Sequence, residues 1–230
     1  MNTPLTNASL PRLHKLLENP FANTGLCLLA GALASLSMAP TSLSFTLFIG
    51  LPALYFALHH ARSKRTAFVA GWFFGFGYFV LSLSWIANAL LVEDNPYAWA
   101  WPLAVAGLPA ALAFFPAFAC LTAKKFMRLD HISGWLGFAA SLAVFEWLRG
   151  HLFTGFPWNL FGYTWAEMLP MIQILRLSDV YLLTLLTIIW AMTPALLILS
   201  KPSHLFYIGI PPSRPTIKTL HRWPMMAKVH

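Results

Sequence analysis

The sequence predicts an all-α protein: a polytopic bundle of about six transmembrane helices, with an irregular outer loop after span five. The chain has 230 residues, of which 58% are hydrophobic and 10% charged, with a mean hydropathy of +0.65. Soluble domains carry about 25% charged residues. Apolar runs also recur at roughly the 20 residues needed to cross a bilayer core. Because lipid offers backbone amides no partner, helices are the spanning element.

The predicted domain organisation has three parts. Residues 1–20 are polar and predict a cytoplasmic leader, and residues 21–200 form the transmembrane domain. Residues 201–230 are basic and proline-rich, which predicts a disordered cytoplasmic tail. The spans are expected at Phe21–Met38, Ser42–Leu58, Ala67–Leu91, Ala98–Thr122, Ile132–Leu148 and Val180–Leu199.

The first three spans are supported by local patterns. Spans one and two follow each other through the turn 39–41, which favours a retained helical hairpin over a cleaved signal peptide. Span three contains Gly71 and Gly75, one helical turn apart. Small residues at that spacing let membrane helices approach closely, so we expect close helix packing there.

The last three spans are marked by breakers and charges. Span four contains prolines at positions 102, 109 and 116, and span five leads directly into residues 146–163. Arg176 and Asp179 precede span six at positions i and i+3, a spacing that predicts a paired helix entrance.

The distribution of positive charge orients the spans. With the N-terminus in the cytoplasm, nine Lys and Arg side chains of residues 1–201 lie inside and two lie outside. This excess follows the positive-inside rule and predicts a multi-pass membrane protein with a cytoplasmic N-terminus. A nucleic-acid surface would instead spread its charge along one face among exposed aromatics, so no nucleic-acid partner is expected. The inside set is Arg12, Lys15, Arg62, Lys64, Arg65, Lys124, Lys125, Arg128 and Lys201; the outside set is Arg149 and Arg176.

Residues 146–163, EWLRGHLFTGFPWNLFGY, concentrate polar chemistry just beyond span five. Glu146 and Arg149 lie on one helical face and are expected to pair. The pair is either a salt bridge that closes the helix end or part of a lipid headgroup site, in which Arg149 offers a planar fork to phosphate. Gly155 permits a tight backbone, and residues 156–158 form a rigid apolar shelf. The spacing predicts a lipid-contacting loop but names no reaction.

Other chemistry has little support in the sequence. Cys27 and Cys120 lie in apolar runs, where cysteine behaves as a small hydrophobe, so neither is expected to be a nucleophile or to form a disulfide. No His/Cys cluster with metal-ligand spacing occurs, and no metal or cofactor is predicted. Ser82 and Ser84 lack the glycine-flanked turn of a serine hydrolase.

Four stretches, in this order, resemble the N-terminal membrane part of bacterial apolipoprotein N-acyltransferases. The third stretch, with its LRG, TGFPW and GY strings, is the most specific, and the resemblance covers residues from about 25 to 200. The stretches are MAPTSLSFTLFIGLPAL (38–54), AGWFFGFGYFVLSLSWI (70–86), FEWLRGHLFTGFPWNLFGY (145–163) and LPMIQILRLSDVYLLTLL (169–186).

The resemblance implies location in the bacterial inner membrane and acyl transfer there, from a phospholipid to the N-terminal amine of a lipoprotein's diacylglyceryl-cysteine. The family uses a thioester on a cysteine, with a glutamate as base and a lysine at the oxyanion, in a periplasmic nitrilase-like domain. By matching position, six residues would line the path by which lipid enters, and none of them would do the chemistry. They are Glu146, Arg149, Gly155, Pro157, Trp158 and Tyr163.

The sequence departs from the family after Leu199, where no nitrilase-like domain follows in the given residues. We therefore expect a truncated membrane part that is inactive alone, with the basic tail as replacement sequence, for example after a frameshift. The alternatives are half of a split enzyme with a separate nitrilase-like chain, and a non-catalytic lipid-binding or scaffold protein. A small transporter has less support, because paired broken helices and mid-bilayer charges are not evident.

Overall fold

The computed structural model describes residues 19–199, within which every regular element is helical. The predicted tail and nearly all of the predicted leader lie outside the described residues. Ten α-helices occur in this range: α1 Pro20–Ser35, α2 Leu47–His60, α3 Lys64–Ser82, α4 Ile86–Leu90, α5 Leu108–Leu112, α6 Phe114–Phe126, α7 Ile132–His151, α8 Leu169–Ile172, α9 Val180–Ala191 and α10 Thr193–Leu199. Single turns of 3₁₀ helix lie at Ser44–Thr46, Ala98–Ala100, Phe161–Trp165 and Gln173–Arg176, and a π-helix at Leu103–Gly107.

Polar residues cap three of the long helices. The Asn19 side chain accepts a hydrogen bond from Phe21 N at the start of α1, and Ser63 accepts from Thr66 N at the start of α3. Asp179 accepts from the amides of Tyr181 and Leu182 at the start of α9. Such caps satisfy amides that have no partner within the helix.

Two helical segments of the described residues have the length and composition of membrane spans. Ala98–Phe126 and Val180–Ile198 each have the length and apolarity to cross a bilayer, with a mean hydropathy of 2.0. Phe21–Ser35 and Ser44–His60 are shorter apolar helices. The described residues are therefore consistent with a membrane helical protein, whereas a count of six spans stays a prediction.

Two details of the predicted spans are wrong. Span three was expected to continue to Leu91, but α3 ends at Ser82 and the chain turns before the five-residue α4. The expected ion pair of Arg176 with Asp179 is replaced by two other interactions. Asp179 caps α9, and Arg176 Nη1 donates to Gln173 Oε1 at 3.4 Å.

The core is built by helices that pack backbone to backbone. Helix α3 lies between α1 and α6, and α7 packs against α6 and α9. A Cβ added at Gly71 would lie 2.5 Å from Pro116 O, and one added at Gly75 would lie 2.9 Å from Ala113 Cα. The close approach predicted from the spacing of these glycines is confirmed.

Long-range hydrogen bonds define two ends of the bundle. At one end, Tyr55 Oη donates to Leu129 O at 2.8 Å, which places the end of α2 beside the turn between α6 and α7. We call this the basic end, because Lys124 and Arg128 lie here. At the other, Tyr78 Oη donates to Asn159 O at 2.9 Å, and we call this the loop end.

Candidate functional site

Arg149 is the centre of the loop end. Arg149 as a whole residue is 1% exposed, and Glu146 is 3% exposed. Arg149 Nη2 donates to Glu146 Oε2 at 2.9 Å, and Nε donates to Oε1 at 3.3 Å, so the predicted i, i+3 pair is confirmed. The guanidinium also lies over the Phe79 ring, 5.0 Å from its centroid. The two hydrogen bonds to Glu146 fix the plane of the guanidinium inside the bundle.

The remaining donors of Arg149 hold the loop that follows α7. Nη1 donates to the carbonyl oxygens of Phe156 and Trp158, each at 2.7 Å. All four hydrogen bonds of the guanidinium therefore go to protein atoms. This is the arrangement expected of a salt bridge that closes the helix end, extended to the loop, rather than of a fork presented to a phosphate.

The loop after α7 turns back sharply at Gly155. This glycine has φ +75°, and an added Cβ would lie 2.6 Å from Gly150 O. Gly155 N donates to Leu152 O, and Phe156 N donates to Arg149 O. A side chain at Gly155 would be strained in conformation and would also collide with α7, so glycine is needed for this turn.

The loop is attached to the end of α3 as well. Asn159 Nδ2 donates to Ser82 O at 3.2 Å, while Tyr78 donates to the backbone of Asn159. The Tyr78 ring also packs on Phe161, with 5.1 Å between centroids. Asn159 has φ 56°, a conformation that asparagine tolerates better than most residues. Sequence reasoning missed the roles of Tyr78 and Ser82, although both lie in the second stretch of the resemblance.

Residues 161–167 join the loop end to the turn between α1 and α2. Thr164 Oγ1 donates to Ser37 O at 3.1 Å, and Ser44 Oγ donates to Thr164 O at 3.0 Å. Ser42 Oγ donates to Glu167 Oε1 at 2.7 Å. These links bring the first stretch of the resemblance into contact with the residues that directly follow the third stretch, which their spacing in the sequence did not reveal.

The same segment is bonded to α9. Gly162 N donates to Thr184 Oγ1 at 3.2 Å, and Trp165 Nε1 donates to Thr187 Oγ1 at 2.7 Å. Trp165 is buried at this contact. With these bonds, the third and fourth stretches also meet.

The six predicted site residues divide into two groups. Glu146 and Arg149 are buried, and Gly155 forms the turn, so these three residues stabilise the conformation of the loop. Pro157, Trp158 and Tyr163 are exposed. Beyond the prediction, Phe153 at the loop tip is 97% exposed. The loop end thus presents an apolar surface on a loop that is held by internal hydrogen bonds. No group of three potential metal ligands occurs within residues 19–199.

Comparison with known proteins decides the family. The family model described as "Apolipoprotein N-acyltransferase N-terminal domain" matches residues 30–193, which contain nearly all of the contacts described above. The chain belongs to the apolipoprotein N-acyltransferase family. The resemblance predicted from four short stretches is therefore confirmed.

Individual members of the N-acyltransferase family match the same region. The chain is 46% identical over 178 residues to the apolipoprotein N-acyltransferase of Rhodopseudomonas palustris, covering 75% of this chain and 33% of the relative. It is 40% identical over 178 residues to that of Brucella melitensis, covering 74% of this chain and 33% of the relative. The chain thus matches about a third of the length of these N-acyltransferases.

Proposed function

We propose that this chain supplies the lipid-handling membrane part of apolipoprotein N-acylation. In the reaction that the family name implies, an acyl group leaves a glycerol oxygen of a phospholipid and joins the N-terminal amine of a lipoprotein, and a lysophospholipid is released. Phospholipid and lipoprotein are therefore the proposed partners. The proposed site is the loop end, and no residue of this chain is assigned the acyl-transfer chemistry.

The observation that carries this proposal is the set of bonds from Arg149 to Glu146, Phe156 O and Trp158 O, which we call the Arg149 hub. A buried guanidinium that bonds Glu146 and two loop carbonyls fixes residues 156–158 against the bundle. Preorganised contact surfaces bind ligands without the entropic cost of ordering a loop. The exposed Pro157 and Trp158 are then held in place as a wall on which an acyl chain can lie.

The exposed chemistry of the wall fits an acyl chain better than a headgroup. Trp158 is half-exposed, and its ring lies 5.5 Å from that of Trp85, which is also half-exposed. Phe153 projects from the loop tip, and its backbone is held at φ 58°. Contiguous exposed aromatic surface of this kind marks lipid or protein contact. Within residues 19–199, the one buried cation at this end is Arg149, which is already bonded to the protein, so apolar contact is the interaction that remains.

A chimera tests whether this domain supports N-acylation. Residues 30–193 would replace the matching segment of the Rhodopseudomonas palustris relative, in cells depleted of their own N-acyltransferase. We expect mass spectrometry to show N-acylation of a model lipoprotein. In the chimera, Trp158→Ala is expected to lower the acylation rate about tenfold, because about 1.4 kcal/mol of apolar contact is lost.

The controls separate contact at the wall from a general aromatic effect. Trp99→Ala removes another exposed indole, one with no role in the wall, and is expected to leave the rate within twofold of the parent chimera. Loss of acylation in a chimera that accumulates in the membrane would contradict the proposal. Expression of the 230-residue chain, with and without a separate nitrilase-like domain, distinguishes a split enzyme from a non-catalytic lipid-binding protein.

Cysteine labelling tests the proposed sidedness, in which the loop end faces the periplasm and the basic end faces the cytoplasm of the inner membrane. A membrane-impermeant maleimide is expected to label Phe153→Cys in intact spheroplasts and Arg128→Cys only after permeabilisation. Both native cysteines are buried, so the parent chain gives a low background. The opposite pattern would reverse the topology.

A further inference from the structure

The basic end carries a charge imbalance that the proposed function does not use. Six Lys and Arg side chains of the described residues lie here, against one carboxylate, Asp130. Asp130 Oδ2 lies 3.9 Å from Arg128 Nη2 and 3.4 Å from His131 Nε2. All three side chains are exposed. Exposed ion pairs of this kind contribute little to the stability of the fold. The described cations of this end therefore outnumber its described carboxylate; they are Arg62, Lys64, Arg65, Lys124, Lys125 and Arg128.

The basic end is built by contacts between three segments. Lys124 Nζ donates to the carbonyl oxygens of Leu58 and His59, at 3.4 Å each, where α2 ends. Tyr55 bonds Leu129 O and so holds the α6–α7 turn over the same place. The carbonyl groups at the end of α2 are thereby covered by an ammonium group, which reduces their repulsion of an anion.

A cavity opens between these segments. Its volume is about 240 Å³, and it is lined by His59, Lys124, Met127, Arg128, Leu129 and Asp130. A water molecule occupies about 30 Å³ of liquid volume, so the cavity has room for a phosphate group that keeps several waters. Two of its lining residues are cationic, and their long side chains reach the cavity from different segments, α6 and the turn that follows it.

We propose that this cavity and the surrounding cations bind the phosphate of an anionic phospholipid. The site lies at the opposite end of the bundle from the loop wall, so it does not rest on the proposed function, and the lipid bound here is not a substrate. Basic pockets between membrane helices on the cytoplasmic side are known to receive acidic lipid headgroups. Lys124 and Arg128 would contact the phosphate, and the other cations would raise the local concentration of acidic lipid.

Apolar side chains beside the cations favour a lipid over a soluble phosphate. Phe126 is 69% exposed, and Lys125 Nζ lies 4.6 Å from the centroid of its ring. Ile132, at the start of α7, is also exposed. A cation next to exposed apolar surface suits the boundary between headgroups and acyl chains. There the aliphatic part of a Lys or Arg side chain lies in the apolar layer, and its charged end reaches the headgroups.

Native mass spectrometry of the full chain, titrated with lipids, tests the site. The probes are phosphatidylglycerol and phosphatidylcholine with identical acyl chains. We expect phosphatidylglycerol to bind more tightly, and Arg128→Gln to raise its Kd about fivefold, because each cation near an anionic lipid contributes a factor of this size. Arg128 is 76% exposed, so its replacement leaves the fold intact.

The matched control is Arg176→Gln, which removes one exposed arginine from the loop end. It is expected to change the Kd for phosphatidylglycerol less than twofold. Equal weakening by both variants, or equal binding of the two lipids, would overturn the proposal. So would displacement of phosphatidylglycerol by glycerol phosphate at equal concentration, because the site would then recognise a soluble phosphate. Failure of the acylation chimera would leave this result unaffected.

Discussion

Replacing Arg149 by alanine is expected to lower the free energy of unfolding by about 3–5 kcal/mol, the cost of breaking a buried ion pair from one side. Glu146, which is 3% exposed, would lose its cationic partner, and the carbonyl groups of Phe156 and Trp158 would lose their donor. Unfolding of the chain in detergent, followed by circular dichroism against SDS concentration, measures the change.

Two further variants separate charge burial from lost packing. Arg176→Ala removes an exposed arginine that donates a hydrogen bond to Gln173 Oε1, and it is expected to cost less than about 0.5 kcal/mol. The double variant Glu146→Gln/Arg149→Met leaves no buried charge and should be more stable than Arg149→Ala. If Arg149→Ala cost no more than Arg176→Ala, the loop end would not depend on this hub.

Gly31→Ala is expected to destabilise the contact between α1 and α3 by about 1–3 kcal/mol. An added Cβ would collide with the carbonyl oxygen of Phe74, and it would lie 2.8 Å from the Phe74 carbonyl carbon. Both atoms belong to the backbone, so a side-chain rotation cannot relieve the clash and the two helices must separate. The same unfolding assay measures the loss.

Gly25→Ala on the same helix is the matched control. An added Cβ at Gly25 meets no atom within 4 Å, so this variant gains helix propensity without a clash. We expect it to be as stable as the parent chain or slightly more stable. Equal destabilisation by both variants would mean that the α1–α3 contact does not limit stability.

The positions of the long helices could be predicted because apolar length alone decides them. The end of α3 could not, since the apolar run continues to Leu91 while the helix stops at Ser82. A distant residue contributes to this boundary: Asn159 donates to Ser82 O, a carbonyl near the helix end. Apolar composition therefore marks where a helix can continue, and tertiary hydrogen bonds mark where it stops.

The candidate site shows the same division between local and distant information. The pairing of Glu146 with Arg149 follows from helical spacing and could be predicted. The bonds from Arg149 to Phe156 and Trp158 depend on how the loop turns at Gly155, which spacing does not determine. The contact between Thr164 and Ser37 joins residues 127 positions apart and has no local signal.

That separation has a consequence for the order in which the protein assembles during translation. Helices α1 and α2 leave the ribosome before Thr164 exists, so the polar groups of the turn between them must wait for a partner. Water or headgroups have to solvate Ser37 O and Ser44 Oγ until residues 161–167 arrive. The contacts between residues 161–167 and the α1–α2 turn therefore form late. In a nascent chain stopped before residue 161, these contacts would not have formed.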